Sequence, residues 1–278
     1  MLCVGLDPDP ARFPDSIERS PVGALDFCRR IVDATAPFVC AFKPQIAYFA
    51  AMRAETELEK LCEHIRDEHP DVVLVLDAKR GDIGPTADRY ASEAFDRYGA
   101  DAVTVNPYLG LDSIEPFVTL AAERNAGIFV LVKTSNPGSK DFQDLQADGR
   151  TIYQHVAAGV EQFAARTAAG DAYGAVGAVV GATWPRQLDE LRDTMPHTWI
   201  LVPGFGKQGG RAADVRGAFH PDGLGALVVS ARDVIFAHAR PEMNAGLSNS
   251  QWHTAVDRAC RDMIDRLAAD TPAGVLRK

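Results

Sequence analysis

The chain is poor in lysine, in paired cysteines and in long apolar runs, and each shortage removes a class of protein. Its five cysteines (Cys3, Cys28, Cys40, Cys62, Cys260) form no CxxC pair and no Cys/His ligand spacing. Neither a zinc site nor a disulfide framework is expected, and the thiols read as small buried hydrophobes in a reducing cytosol. No apolar run approaches the roughly 18 residues of a membrane span. The start, Met1-Leu2-Cys3-Val4-Gly5-Leu6, lacks the basic segment of a secretory signal, so a soluble, cytoplasmic protein with no membrane partner is expected. Arginine supplies most of the 29 basic residues, which face 38 acidic ones for a formal net charge of −9. That balance leaves no broad basic face for nucleic acid, and an anionic ligand would need cations placed locally. His155, His197, His220, His238 and His253 have no carboxylate at motif spacing, so no metal site is expected from them; His64, His69 and Arg80 read as solvated.

What the chain does have is alternation. Short apolar runs over 2–6, 38–42, 72–76, 102–105, 128–132, 176–180, 199–202 and 226–229 read as eight strands. Between and after them, helical patterns fall over 24–35, 55–68, 87–98, 113–124, 151–167, 187–195, 212–219 and 251–268. No linker or low-complexity tract interrupts the series, and 278 residues with 46% hydrophobic content suit one large core. The expectation is an α/β protein, a single-domain (β/α)8 TIM barrel over residues 1–278. A doubly wound open sheet is the competitor, and its dinucleotide-binding form loses support because no GxGxxG follows the first strand.

A barrel of this kind gathers its functional groups where strands end. The run Val72-Val73-Leu74-Val75-Leu76, apolar on both parities as a strand buried on both faces requires, leads straight into Asp77-Ala78-Lys79-Arg80-Gly81-Asp82-Ile83. Side chains two apart in a strand share a face, so Asp77 and Lys79 point the same way, and Gly81 allows a turn that brings Asp82 after them. Such a group is either a strand-end salt bridge or a site, since burying charges costs several kcal/mol per ion unless they are paired. Asp7 ends strand 1 and Lys43 ends strand 2. Strand 4, ending Asn106-Pro107-Tyr108, contributes no charge. Lys133, ending strand 5, is the type of residue that forms Schiff bases in barrel aldolases, but nothing nearby in sequence would depress its pKa.

The last two loops suggest a phosphate. Pro203 to Gly210 is glycine-rich and follows strand 7, and Ser230-Ala231-Arg232 follows strand 8, where barrel enzymes bind phosphate through backbone N–H groups and helix N-termini. Arg232 would add a bidentate cation and Gln208 an amide donor.

Asp77-x-Lys79-x-x-Asp82-Ile83, with Lys43 and Asp7 upstream, resembles the charged network of the orotidine 5′-phosphate decarboxylase family. Thr134-Ser135-Asn136-Pro137-Gly138, Val202-Pro203-Gly204 and Gln208-Gly209-Gly210 are similar to its longer-chain bacterial and archaeal subgroup. The resemblance runs from Gly5-Leu6-Asp7-Pro8 to Ser230-Ala231-Arg232; only the segment expected before the first strand is absent from it, which bears on closure of the barrel bottom. It implies a homodimer that needs no metal or cofactor and converts orotidine 5′-monophosphate to uridine 5′-monophosphate in pyrimidine biosynthesis. It further implies that Asp7 and Lys43 hold the ribose, that Asp77 lies beside the scissile carboxylate, and that Lys79 gives its proton to C6. Asp82, Ile83 and Thr86 would come from the neighbouring subunit. Ser135 would meet the pyrimidine amide edge, Pro203 the ring, Gln208 both ring and phosphate, and Arg232 the phosphate.

Elementary chemistry supports that assignment. Loss of carbon dioxide from C6 leaves a localised carbanion, which needs a cation already in place, and flanking acids favour the charged form of a lysine. A sugar-phosphate lyase or epimerase and a catalytically silent phosphate-binding barrel are the other two readings.

Overall fold

The computed structural model describes residues 1–170, 172–206 and 210–277. Its eight parallel strands are β1 (Leu2–Leu6), β2 (Ala41–Pro44), β3 (Val73–Arg80), β4 (Ala102–Val105), β5 (Gly127–Lys133), β6 (Val176–Val180), β7 (Ile200–Val202) and β8 (Ala226–Ser230). They close in sequence order, with β1 bonded to both β2 and β8. This is the expected (β/α)8 barrel. The interior is filled by alternate strand residues, among them Cys3, Val75, Phe129, Val179 and Leu201, while a larger apolar layer lies between the strands and the helices outside them.

The helices form where apolar residues recur every three to four positions and a capping group satisfies the first free N–H. In α1 (Pro21–Thr35), Pro21 occupies the first turn and Ser20 Oγ accepts from Gly23 N. Its buried face, including Phe27 and Ile31, meets the long C-terminal helix Trp252–Asp270, with Phe27 stacked on Trp252 at 5.1 Å between ring centroids.

Local departures from the sequence reading have physical causes. The second strand is Ala41–Pro44 rather than 38–42, because β1 pairs Cys3 with Ala41 and Leu6 with Pro44; register is set by the neighbour. Lys43 is therefore inside a strand. The segment 212–219 is a 3-10 helix, Ala212–Ala218. There Gly217 packs so closely on helix Pro185–Thr194 that a Cβ would meet Asp189 Oδ1 at 1.8 Å. An unexpected antiparallel ribbon, Gln146–Ala147 with Arg150–Thr151, turns at Asp148-Gly149, both with positive φ, the pairing typical of a tight hairpin.

Candidate active site

The C-terminal ends of the strands surround a cavity of about 540 Å³. Asp7 of the β1 loop, Lys43 of β2, Asp77 and Lys79 of β3, Ser135 after β5, Pro203 after β7 and Arg232 after β8 all line it. Gln208 lies outside the described residues.

Asp77 is its hub. Lys43 Nζ donates to Asp77 Oδ2 at 2.5 Å, and Lys79 Nζ donates to Asp77 Oδ1 at 2.6 Å. Burial alone would push the Asp77 carboxyl up, but the two ammonium groups outweigh it and hold the acid well below the usual carboxylate range. Burial likewise works against the Lys43 ammonium, and Asp77 with Asp7 reverses that and raises it. Asp7 is governed by burial, which raises its pKa despite the nearby Lys43. Its Oδ1 is buried and, among the described residues, has no hydrogen-bond partner.

The backbone that delivers this pair is irregular. Leu76 pairs with Val103 and Arg80 with Val105, so Asp77, Ala78 and Lys79 together face the single residue Thr104. Such a bulge bends the strand and re-aims its side chains. Lys79 takes φ +47° within it, a left-handed conformation that a side chain adopts at a cost of about 1 to 2 kcal/mol. Asp77 and Lys79 do meet as expected, through a distorted strand rather than a regular one. Lys79 is also less enclosed than the sequence suggested, with 46% of its side chain exposed at the cavity mouth. Arg80 is not simply solvated: it turns outward into a two-bond ion pair with Glu93 at 2.9 and 3.1 Å.

Asp82 does not join Asp77 and Lys79 in its own barrel. Its carboxylate accepts from Ile83 N at 2.8 Å, and neither it nor Ile83 nor Thr86 lines the cavity. Ile83 is 59% exposed. The helices after the two phosphate loops are short: the first is the 3-10 segment already described, and Arg232–Ile235 forms a single turn. The β7 loop does turn through glycines at positive φ, Gly204 and Gly206, and closes with Gly206 N donating to Gly210 O.

Lys133 is fully buried, donates to Asp144 Oδ1 at 2.5 Å and sits over the Trp184 ring, so its ammonium braces the β5 loop outside the cavity lining. Thr104 carries no charge and so does not stand out among the polar residues at strand ends. Its only signal there is a lone polar residue in Ala102-Val103-Thr104-Val105. One histidine expectation is corrected: His64 and His69 are not simply solvated, and both approach Asp33 Oδ1, at 2.6 and 3.2 Å. His197 has no carboxylate at motif spacing, yet its Nδ1 contacts the remote Glu161 at 2.6 Å. These partners are distant in sequence, which hid them. The 2.6 Å contact to His64 is a hydrogen bond, shorter than the roughly 3.3 Å between ligand atoms on a tetrahedral zinc ion.

The profile of the orotidine 5′-phosphate decarboxylase / HUMPS family matches residues 1–245. The chain is 48% identical over 275 residues to the orotidine 5′-phosphate decarboxylase of Bordetella pertussis, covering 97% of this chain and 93% of that one. It is 49% identical over 256 residues to that of Cupriavidus metallidurans, covering 91% and 90%. Among solved structures, Leishmania donovani OMP decarboxylase superposes with a TM-score of 0.75 at 33% identity, covering 96% of this chain and 93% of that one.

Proposed function

This chain belongs to the orotidine 5′-phosphate decarboxylase / HUMPS family, and from that membership we propose that it is a carboxy-lyase converting orotidine 5′-monophosphate to uridine 5′-monophosphate and carbon dioxide. The observation that carries the mechanism is the Lys79 ammonium held 2.6 Å from Asp77 Oδ1 at the barrel mouth.

The C6–carboxylate bond breaks, its electron pair stays on C6 and carbon dioxide leaves. That pair has no adjacent carbonyl to receive it, so a fixed positive charge must stabilise it, and such preorganised charge acts most strongly where water is excluded. Lys79 supplies the charge and then a proton, forming the C6–H bond and becoming an amine. Its partial exposure gives the amine access to solvent protons for the next turnover. Asp77 lies beside the departing carboxylate and is itself held ionised by Lys43 and Lys79, so it fixes both cations and disfavours the charged ground state.

The remaining roles follow the cavity. Asp7, whose Oδ1 is a buried acceptor without a partner among the described residues, takes a ribose hydroxyl with Lys43 beside it. Ser135 meets the pyrimidine amide edge and Pro203 the ring face. Arg232 binds the phosphate with Gln208. Phosphate binding, remote from C6, holds the loops over the ring and so contributes to turnover as well as affinity. Asp82, Ile83 and Thr86 act in the barrel of a second copy in a homodimer. This is supported by their placement off their own cavity and by exposed Ile83, Tyr108 and Leu109 on the loops after the adjacent strands β3 and β4.

The test is direct. Purified protein with excess EDTA should convert orotidine 5′-monophosphate, followed by the fall in near-ultraviolet absorbance and by product chromatography. Absence of turnover by the wild-type chain would remove the decarboxylase reading; turnover that EDTA abolishes would favour a metal-dependent lyase.

A further inference from the structure

We infer that Thr104 is a positioning residue for the decarboxylation, its single hydroxyl locking Asp77 and Lys79 into their working geometry. This rests on the decarboxylase reading and adds to it a residue of the cavity wall that acts through Asp77 and Lys79.

A threonine hydroxyl has one proton to give and two lone pairs to accept with, and all three are used here. Thr104 Oγ1 accepts from Ala78 N at 3.0 Å and from Lys79 N at 2.9 Å, and donates to Asp77 Oδ1 at 3.0 Å. Because both lone pairs are taken by N–H donors, the direction of the third bond is settled: the proton points at the carboxylate. The same Asp77 oxygen accepts from Lys79 Nζ. One oxygen atom therefore ties together the acid, the backbone of the lysine and, through the acid, the lysine's ammonium.

The bulge explains why a side chain is needed. With Asp77, Ala78 and Lys79 set against Thr104 alone, β4 has too few backbone carbonyls to receive the extra N–H groups of β3. Thr104, 1% exposed and facing the cavity floor, substitutes for the missing ladder partners. It also bonds the amide of the residue at φ +47°, where a strained backbone persists only if its surroundings hold it. Without the hydroxyl, the Lys79 turn can relax and carry Nζ away from Asp77. Misplacement of a catalytic group by about 1 Å commonly costs on the order of 100-fold.

The experiment compares Thr104→Val, of nearly equal shape, with Thr104→Ser, which keeps the oxygen. Thr104→Val should lower kcat about 10- to 100-fold, with KM and uridine 5′-monophosphate affinity within about threefold of wild type, because phosphate, ribose and ring contacts are elsewhere. Thr104→Ser should restore most of kcat. If Thr104→Val fails to fold, Thr104→Ser against Thr104→Cys, differing only in oxygen for sulfur, should show the same contrast in kcat. The inference is overturned if Thr104→Val, or Thr104→Cys in its place, turns over like wild type. It is also overturned if the loss appears equally in product affinity, the mark of general damage, or if serine does not rescue. Wild-type protein run beside them separates this failure from failure of the decarboxylase reading, which would leave every sample inactive.

Discussion

Lys43 and Asp77 meet at 2.5 Å with only 5% and 6% of their surfaces exposed, so each charge depends on the other to be tolerated inside the barrel. Removing one partner of a buried pair leaves an uncompensated ion and costs about 3 to 5 kcal/mol. Asp77→Ala should lower stability by roughly the low end of that range, since Asp7 still faces Lys43, and should abolish activity. The double variant Lys43→Met/Asp77→Ala should be more stable than Asp77→Ala alone, measured by urea denaturation. A double variant no more stable than the single one would show that the stranded Lys43 charge is not the source of the loss. The pH dependence has a definite sign. Although burial opposes it, Asp77 is held below its unfolded range by the two lysines. Its contribution is thus present above the ordinary value of 3.8 and lost as pH falls from there towards the folded value. Asp77→Ala should lack that acid component.

Lys79 combines a catalytic side chain with a backbone conformation that suits glycine. Lys79→Ala and Lys79→Gly should both be inactive, because each removes the ammonium. The glycine variant should nevertheless be the more stable of the two by about 1 kcal/mol, since relief of the left-handed strain exceeds glycine's extra unfolded-state entropy. Thermal unfolding of the pair reads this. Equal stability would mean that φ +47° at this position stores no strain.

How much of this was legible beforehand depends on the range of the interaction. Apolar periodicity marked all eight strands, because each is covered by helices outside and packed side chains inside, and strand-end polarity located the cavity. What periodicity cannot carry is register: the shift of β2 to Ala41–Pro44 and the bulge at Asp77–Lys79 are both set by neighbouring strands. The rule that residues two apart share a face placed Asp77 and Lys79 together, yet the structure achieves it through a left-handed turn held by Thr104, a residue 25 positions from Lys79. Asp82 was placed with them by the same local reasoning and instead turns away from its own cavity, because the chain leaves the strand at Gly81 and enters helix Gly84–Ser92.

Asp7 gives a second pH prediction. Burial raises its pKa above the ordinary 3.8, with Lys43 opposing the shift. A ribose hydroxyl donating to Asp7 favours the carboxylate form, so ligand and proton compete. Uridine 5′-monophosphate should therefore bind less tightly as pH falls into the raised titration range of Asp7, and Asp7→Asn should bind weakly with that acid dependence removed. The apoprotein sign is opposite: an acid raised on folding opposes folding when ionised, so Asp7→Asn should be somewhat more stable than wild type at neutral pH. Calorimetric titration across pH, paired with thermal unfolding, checks both. A wild-type affinity independent of pH through the acid range would remove Asp7 from the ribose.

The proposed sharing of sites between subunits yields an outcome with no free parameter. Lys79→Ala protomers lack the proton donor but carry an intact Asp82, and Asp82→Ala protomers carry the reverse. Each homodimer is expected to be inactive. In a mixed dimer, the Asp82→Ala barrel keeps its Lys79 and receives Asp82 from its partner, so one of its two sites is whole and the other lacks both groups. Random exchange between equal amounts makes half of all dimers mixed, so activity should recover to about a quarter of the wild-type value for a two-fold assembly. Exchange is verified by mass spectrometry of differently tagged subunits, and turnover is measured on the same sample. If mixed dimers are present and activity stays at the level of the parents, Asp82 does not act across the interface. If Asp82→Ala alone retains full activity, the residue has no part in the site at all.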